Sequence, residues 1–201
     1  MSVEVSWFSA LCDDDYRYLG VHDSELKSSW AHCSSITTKA DRLGYDSILL
    51  PSGYQLGIDS VAFAGGIAPI TEQIRLLVAV RCGELWVPQQ ARQLATLDQM
   101  LGGRLAVNII SSDIPGETMA SEPRYQRTRE TMMALRQLLN GEALAMQGEF
   151  LNLEIEPPNA RTVTGNSPLF YFGGLSEPAR DVAAECSCLL YTSPSPRDGH
   201  Q

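Results

Sequence analysis

The sequence predicts an α/β fold assembled from parallel βαβ units, and three observations carry that reading. Short apolar runs recur along the chain, amphipathic helical stretches separate them, and the spacing is that of strand–helix–strand crossovers. The run Leu76-Leu77-Val78-Ala79-Val80 is apolar at every position, as in a strand covered on both faces. Two architectures satisfy this pattern: an open doubly wound sheet and a (β/α)8 barrel. A doubly wound nucleotide-binding sheet calls for a glycine-rich turn after its first strand, and the turn here reads Leu11-Cys12-Asp13-Asp14-Asp15. The long loops after the first and fourth core strands suit a barrel, whose site is built at the C-terminal ends of its strands. A barrel usually takes about 250 residues, and about five of its eight units fit into this chain. The barrel reading therefore carries the expectation of a truncated (β/α)8 TIM barrel.

The elements follow in order. Val3–Ser9 is a first strand, and a polar loop leads from it to a helix over Ser29–Leu43, where Trp30, Ile36, Ala40 and Leu43 recur at helical spacing and Gly44 stands at the C-terminal cap. Ser47–Leu50 is a short buried strand closed by Pro51-Ser52-Gly53. Asp59-Ser60 cap a helix over Val61–Ile67, and Ile74–Val80 is the next strand. Pro88 opens a helix that runs to Met100 and stops at Gly102-Gly103; a proline costs nothing in the first turn, where its missing N–H has no partner to lose. Leu105–Ile110 is a fourth strand. A longer loop precedes a helix from Glu122 to Leu139, ended by Asn140-Gly141. Phe150–Ile155 alternates like an exposed accessory strand, Pro168–Phe172 is a fifth core strand, and Glu177–Glu185 is a helix entered through Gly173-Gly174-Leu175-Ser176. After Glu185 the helical pattern breaks. Pro194, Pro196 and Gly199 argue against a strand in the tail, so residues 1–185 are expected to form the ordered part and 186–201 a non-native or disordered tail.

Composition narrows the function. Fifteen basic against 24 acidic residues give a formal charge of −9, which argues against nucleic-acid binding and against docking on anionic membranes, both of which need clustered basic surface. No apolar run approaches the ~20 residues of a spanning helix, and the N-terminus lacks the basic start of a signal peptide. Five cysteines without C-x-x-C spacing point to reduced thiols, and a cytoplasmic location is expected. His22 and His32 lack ligand spacing and Asp13-Asp14-Asp15 reads as a solvated loop, so no metal site is expected.

Several blocks taken together resemble one family. They are Ala40-Asp41-Arg42-Leu43-Gly44-Tyr45-Asp46, Leu50-Pro51-Ser52-Gly53, the stretch from Ala91 to Met100, Gly102-Gly103-Arg104-Leu105-Ala106-Val107-Asn108-Ile109-Ile110-Ser111, Glu122-Pro123-Arg124-Tyr125 and Tyr171-Phe172-Gly173-Gly174-Leu175-Ser176. In this order they look like the bacterial-luciferase-like flavin monooxygenases, nearest the alkanesulfonate monooxygenase branch. The resemblance implies a (β/α)8 barrel that takes FMNH2 from a separate NAD(P)H-dependent FMN reductase, reacts it with O2 to a flavin peroxide, and cleaves an alkanesulfonate to an aldehyde and sulfite. It also implies a homo-oligomer when the barrel is complete, with the family's catalytic histidine and arginine beyond this chain. Other readings are a flavin or deazaflavin oxidoreductase with a non-sulfur substrate, and a noncatalytic barrel subunit. Unpaired sheet edges would leave these residues by themselves without turnover.

The resemblance assigns cofactor-binding roles to particular residues. Ser111, at the end of the fourth strand, is placed to hydrogen-bond the flavin ring; a loop-capping serine is the other reading. Arg124 and Tyr125 are placed at the FMN phosphate, through forked guanidinium donors and a phenol; an ion pair is the alternative for Arg124. Gly174 and Ser176 open a helix whose free N–H groups and positive dipole suit an anion, and Ser176 is equally a plain N-cap. Ser52 and Gly53 would lie under the isoalloxazine or form a tight turn. Arg81 ends the third strand, where it would meet an anionic substrate or the charge on the reduced flavin, or pair with Glu84 or a neighbouring loop. Tyr54-Gln55-Leu56 stands where the alkanesulfonate enzymes carry a cysteine, and Leu11-Cys12 where the family carries a histidine.

Overall fold

A computed structural model describes residues 4–8, 11, 28–54, 56–174, 176–187 and 189–191. In chain order these form β1 (Ser6–Phe8), α1 (Trp30–Arg42), β2 (Ser47–Leu50), α2 (Ser60–Ile67) with a following 3-10 turn (Ala68–Ile70), β3 (Arg75–Arg81), α3 (Val87–Met100), β4 (Leu105–Ile110), α4 (Ser121–Leu139), a hairpin of β5 (Leu144–Gln147) and β6 (Asn152–Ile155), β7 (Leu169–Gly173), α5 (Glu177–Cys186) and β8 (Leu189–Tyr191). No helix among the described residues is long and apolar enough to cross a membrane.

The main sheet has the order β1-β2-β3-β4-β7-β8, every pair parallel. Sequence order and spatial order coincide, without the reversal that defines a doubly wound sheet. Right-handed crossovers that always step in one direction place every helix on the same face, as in one side of a barrel. Fully buried Ile48, Leu50, Leu76, Val107, Phe170 and Phe172 supply that helix-facing layer, together with Leu94 and Met132 from α3 and α4. Alternation turns the other strand residues to the opposite, barrel-interior face. Register aligns Leu49, Leu77, Ala106 and Leu169 in one row there and Ala79, Asn108 and Tyr171 in the next. Among the described residues, β1 and β8 are the two edges of the sheet.

The caps follow the expected chemistry. Ser29, Asp59 and Ser176 accept N–H bonds at the starts of α1, α2 and α5, and Gly44, Gly102, Gly103 and Gly141 adopt positive φ after α1, α3 and α4. The N-terminal ends of the strands are held by a carboxylate clamp. Asp41 accepts the N–H groups of Glu72, Gln73 and Ile74 at 2.9, 2.9 and 2.7 Å, and Arg104 bonds the carbonyls of Ile74 and Thr71 at 2.7 and 2.9 Å. Burial by itself would raise the Asp41 pKa, but the three N–H bonds and the Arg104 charge outweigh it and hold the carboxyl below its ordinary value. A depressed carboxylate contributes stability above its unfolded pKa of about 3.9 and loses it as pH falls through the lower folded value. Asp41→Asn is therefore expected to lower the urea midpoint at pH 7 and to flatten its decline between about pH 5 and 2. An unchanged acid slope in the variant would rule the clamp out as its source.

The structure corrects two expectations. The accessory element is a hairpin, with β5 paired antiparallel to β6 and the turn falling near Gly148 to Leu151. Leu144-Ala145-Met146-Gln147 has no β-branched or aromatic residue, so local propensity conceals the strand and cross-strand pairing makes it. The segment after Glu185 also carries a strand, β8, in register with β7 from Tyr171↔Leu189 to Gly173↔Tyr191. The prolines come after Tyr191 and so remove no donor from that ladder. Residues 192–201 lie outside the described residues.

Candidate functional site

Three loops meet at the C-terminal ends of the strands, and Arg81 ties them. Its Nη2 donates to the Ser52 carbonyl at 3.2 Å, its Nη1 to the Asp113 carbonyl at 3.3 Å, and its Nε pairs with Glu84 at 3.1 Å. The side chain is 12% exposed. The loop after β2, the turn after β3 and the loop after β4 thus share one guanidinium. This is the pairing with Glu84 and neighbouring loops, so the cation meets protein acceptors rather than standing free for a substrate. Gly53 is packed closely, since a Cβ there would lie 3.3 Å from Leu56 Cγ.

The loop after β4 is also held from α4. Arg124 Nη1 lies 3.4 Å from Asp113 Oδ1 and 3.4 Å from the Met119 carbonyl, and Arg127 Nη1 pairs with Glu117 at 2.8 Å. Ser111 Oγ is 2.9 Å from Thr128 Oγ1, which is also 3.0 Å from the Arg124 carbonyl. Thr128 has one hydroxyl proton and serves one of these at a time, so the Ser111 hydroxyl has an exchangeable local partner. Arg124 Nε is buried and makes no hydrogen bond with protein.

Tyr125 faces β7, and the Arg124 guanidinium carbon lies 5.7 Å from its ring centroid. Its ring meets Phe172 edge-on with centroids 6.3 Å apart. This contact sets the first turn of α4 against the turn from β7 into α5, which holds Gly174 and Ser176. Gly174 is sterically required: a Cβ there would stand 2.5 Å from Ala179 Cβ in α5. Ser176 Oγ accepts the Ala179 N–H at a long 3.4 Å, and Pro178 has no N–H to offer, so the first turn of α5 is only lightly capped.

The predicted residues therefore fall into two linked groups. Ser52, Gly53, Arg81 and Ser111 lie at the ends of β2, β3 and β4, while Arg124, Tyr125, Gly174 and Ser176 frame the α4 and α5 starts. Asp113, which sequence reading did not single out, joins them by accepting from both Arg81 and Arg124. Asn108 and Tyr171 were likewise passed over as site residues, yet they are register neighbours on the interior face. A buried polar residue inside an otherwise apolar strand was the available signal for Asn108. Cys12, Asp13-Asp14-Asp15 and His22 lie outside the described residues. Cys82 is an inert core thiol, its pKa pushed up to about 12 by burial.

A family model described as "Luciferase-like monooxygenase" matches residues 5–200. The chain belongs to the luciferase-like monooxygenase family. It is 55% identical over 202 residues to the sulfoquinovose monooxygenase of Novosphingobium aromaticivorans, covering 97% of this chain and 56% of that protein. It is 48% identical over 193 residues to the sulfoquinovose monooxygenase of Agrobacterium fabrum, covering 94% and 50%. Among solved structures, the EDTA monooxygenase of Chelativorans sp. BNC1 superposes with a TM-score of 0.80 at 16% identity, over 94% of this chain and 53% of that one. The chain spans about half the length of the curated relatives it matches. Family membership also identifies the sheet: six parallel strands in sequence order are part of a luciferase-like TIM barrel.

Proposed function

We propose that the chain is part of a two-component monooxygenase that draws FMNH2 from a separate NAD(P)H-dependent reductase and oxidises an organosulfonate with O2. The observation that carries this reading is the Tyr125–Phe172 contact, because in a chain of this family it packs Tyr125, with Arg124 over its ring, against the end of the strand that leads through Gly174 into the lightly capped start of α5. Both curated relatives are named for sulfoquinovose, a sugar sulfonate, and this favours a sulfonated carbohydrate over a simple alkanesulfonate as the first substrate to test. The strands and helices from β1 to β8 would supply one part of the barrel, and the further length of the relatives would close it between β8 and β1. A cytoplasmic homo-oligomer is part of the same proposal.

The residues fit a flavin phosphate. Arg124 has a buried Nε without a protein partner, and its planar group donates along directions that match phosphate oxygens. Tyr125 adds a phenolic donor, and the α5 start adds backbone N–H groups and the positive end of a helix dipole. Gly174 keeps the turn free of a side chain. When bound, reduced FMN supplies the two electrons that split O2, one oxygen going to the substrate and one to water. Ser111 would donate to the ring, the loop at Ser52 and Gly53 would support it, and apolar Leu49 and Leu77 would help keep water from the reaction space.

The test uses the full-length protein with FMN, a flavin reductase and NADPH. Oxygen-dependent release of sulfite from sulfoquinovose is expected. Binding of a deazaflavin without sulfite release would replace this reading with a reductase, and no flavin affinity at all would point to a noncatalytic subunit. Arg124→Met is expected to weaken FMN binding about tenfold, equivalent to ~1.4 kcal/mol, as read from quenching of flavin fluorescence. An affinity within twofold of wild type would remove Arg124 from the phosphate site.

A further inference from the structure

We propose that Arg81 is a positioning residue that holds three strand-end loops in the arrangement that accepts the flavin; this rests on the flavin reading above. Arg81 ends β3, a central strand, with the same parity as the interior-facing Leu77 and Ala79. Each of its three nitrogens takes a different loop: Ser52 after β2, Glu84 after β3 and Asp113 after β4. Two of these acceptors are backbone carbonyls, so the tie fixes main chain rather than one side-chain rotamer. A guanidinium is a rigid plane, and the three directions in which it donates are fixed relative to one another. The relative placement of the three loops is thereby set by one planar group before any ligand arrives.

The tie also reaches the phosphate side. Asp113, held through its carbonyl by Arg81, presents its carboxylate to Arg124 at 3.4 Å and to the Met119 N–H at 3.3 Å. Loss of Arg81 would release the loop against which Arg124 is braced and the Ser52 turn on the other side of β3. Loops ordered in advance spare the ligand the entropy of ordering them, and that saving appears as affinity. Lysine retains the charge but has one nitrogen on a flexible stem and cannot hold three loops in one plane. A role that depended on positive charge alone would survive that change, and the tie would not.

The experiment compares Arg81→Lys and Arg81→Met with Arg75→Met in the full-length protein. Arg75 serves as the control because it lies at the opposite end of the same strand, in a 3.9 Å pair with exposed Glu4. FMN affinity is read from flavin fluorescence quenching, and loop order from hydrogen exchange of the ligand-free protein, with thermal melting to confirm folding. Both Arg81 variants are expected to bind FMN about tenfold more weakly, and exchange is expected to accelerate together in residues 51–54, 83–86 and 112–116. Arg75→Met should leave both measurements unchanged. Wild-type affinity in Arg81→Lys would overturn the proposal, as would exchange that rises in one loop alone or loosened loops with unaltered affinity. Wild-type protein that bound no FMN would instead overturn the flavin reading, with the exchange data reporting on the three-loop tie independently.

Discussion

Replacement of Glu130 by alanine is expected to destabilise the protein by about 3 kcal/mol, a large loss for one side chain. Glu130 lies in the middle of α4 and is only 5% exposed. Its carboxylate accepts the N–H groups of Glu149, Phe150 and Leu151 at 2.9, 2.8 and 2.9 Å, together with Gln126 Nε2 at 2.9 Å. Burial alone would push its pKa up; the Gln126 bond and the three backbone donors outweigh that and hold it below the ordinary value. Alanine would leave three backbone donors at the hairpin turn without their acceptor. Gly148 has no room for a side chain, because a Cβ there would collide with the Glu130 carboxylate; the carboxylate and the bare glycine fit each other as a pair. For a chain of this size the loss corresponds to a melting temperature lower by roughly 6–12 °C. Glu130→Gln keeps one acceptor and should lose less than half as much, and alanine at exposed Glu142 should stay within about 0.5 kcal/mol. Differential scanning calorimetry at pH 7 decides the matter; a Glu130→Ala variant that melted with wild type would show that water replaces the carboxylate at no cost.

Gly174→Ala is expected to weaken FMN binding by more than tenfold, well beyond its effect on stability. The new Cβ would meet Ala179 Cβ at 2.5 Å, far inside van der Waals contact, and neither atom belongs to a flexible side chain. The clash has to be relieved by moving the start of α5 away from β7, at a cost of about 1–3 kcal/mol. That movement would displace Ser176 and the helix N–H groups from the proposed phosphate position, while most of the core between sheet and helices keeps its packing. The double variant Gly174→Ala with Ala179→Gly removes the opposing methyl and should recover most of the affinity. Titration of FMN against the single and double variants is the measurement. A single variant with wild-type affinity would mean that the α5 turn is not part of the cofactor site, and a double variant no better than the single would mean that helix displacement is not the cause.

Much of the fold was legible along the chain because its signals are local. Leu105–Ile110 reads as a strand from its apolar run, and α1, α2 and α5 start at Ser29, Asp59 and Ser176, each with a side-chain oxygen able to take an N–H two or three residues on. Positive-φ glycines mark the ends of α1, α3 and α4 for the same reason. The short β5 and β8 were not legible. Leu144–Gln147 carries no β-branched or aromatic residue and Leu189–Tyr191 is three residues beside a proline-rich tail, so each strand exists because a neighbour pairs with it. Asp41 shows a subtler limit: it belongs to one of the blocks that carry the family resemblance, yet in the fold it clamps the start of β3, far in role from any chemistry.

The candidate site divides along the same line. The letters of the chain suffice to put an arginine at the end of β3, a serine after β4, an Arg-Tyr pair on α4 and a double glycine before α5, because these follow from motif and element order. What each one faces became visible only in the folded molecule. Arg81 holds Ser52, Glu84 and Asp113, and Tyr125 meets Phe172, through contacts between residues 29 to 47 positions apart or, for Glu84, through a turn whose shape is not written in its letters. Chain order fixes which groups are available. The register of parallel strands and the rotation of each helix on the sheet fix which of them meet, and those depend on packing across the whole layer rather than on any local run.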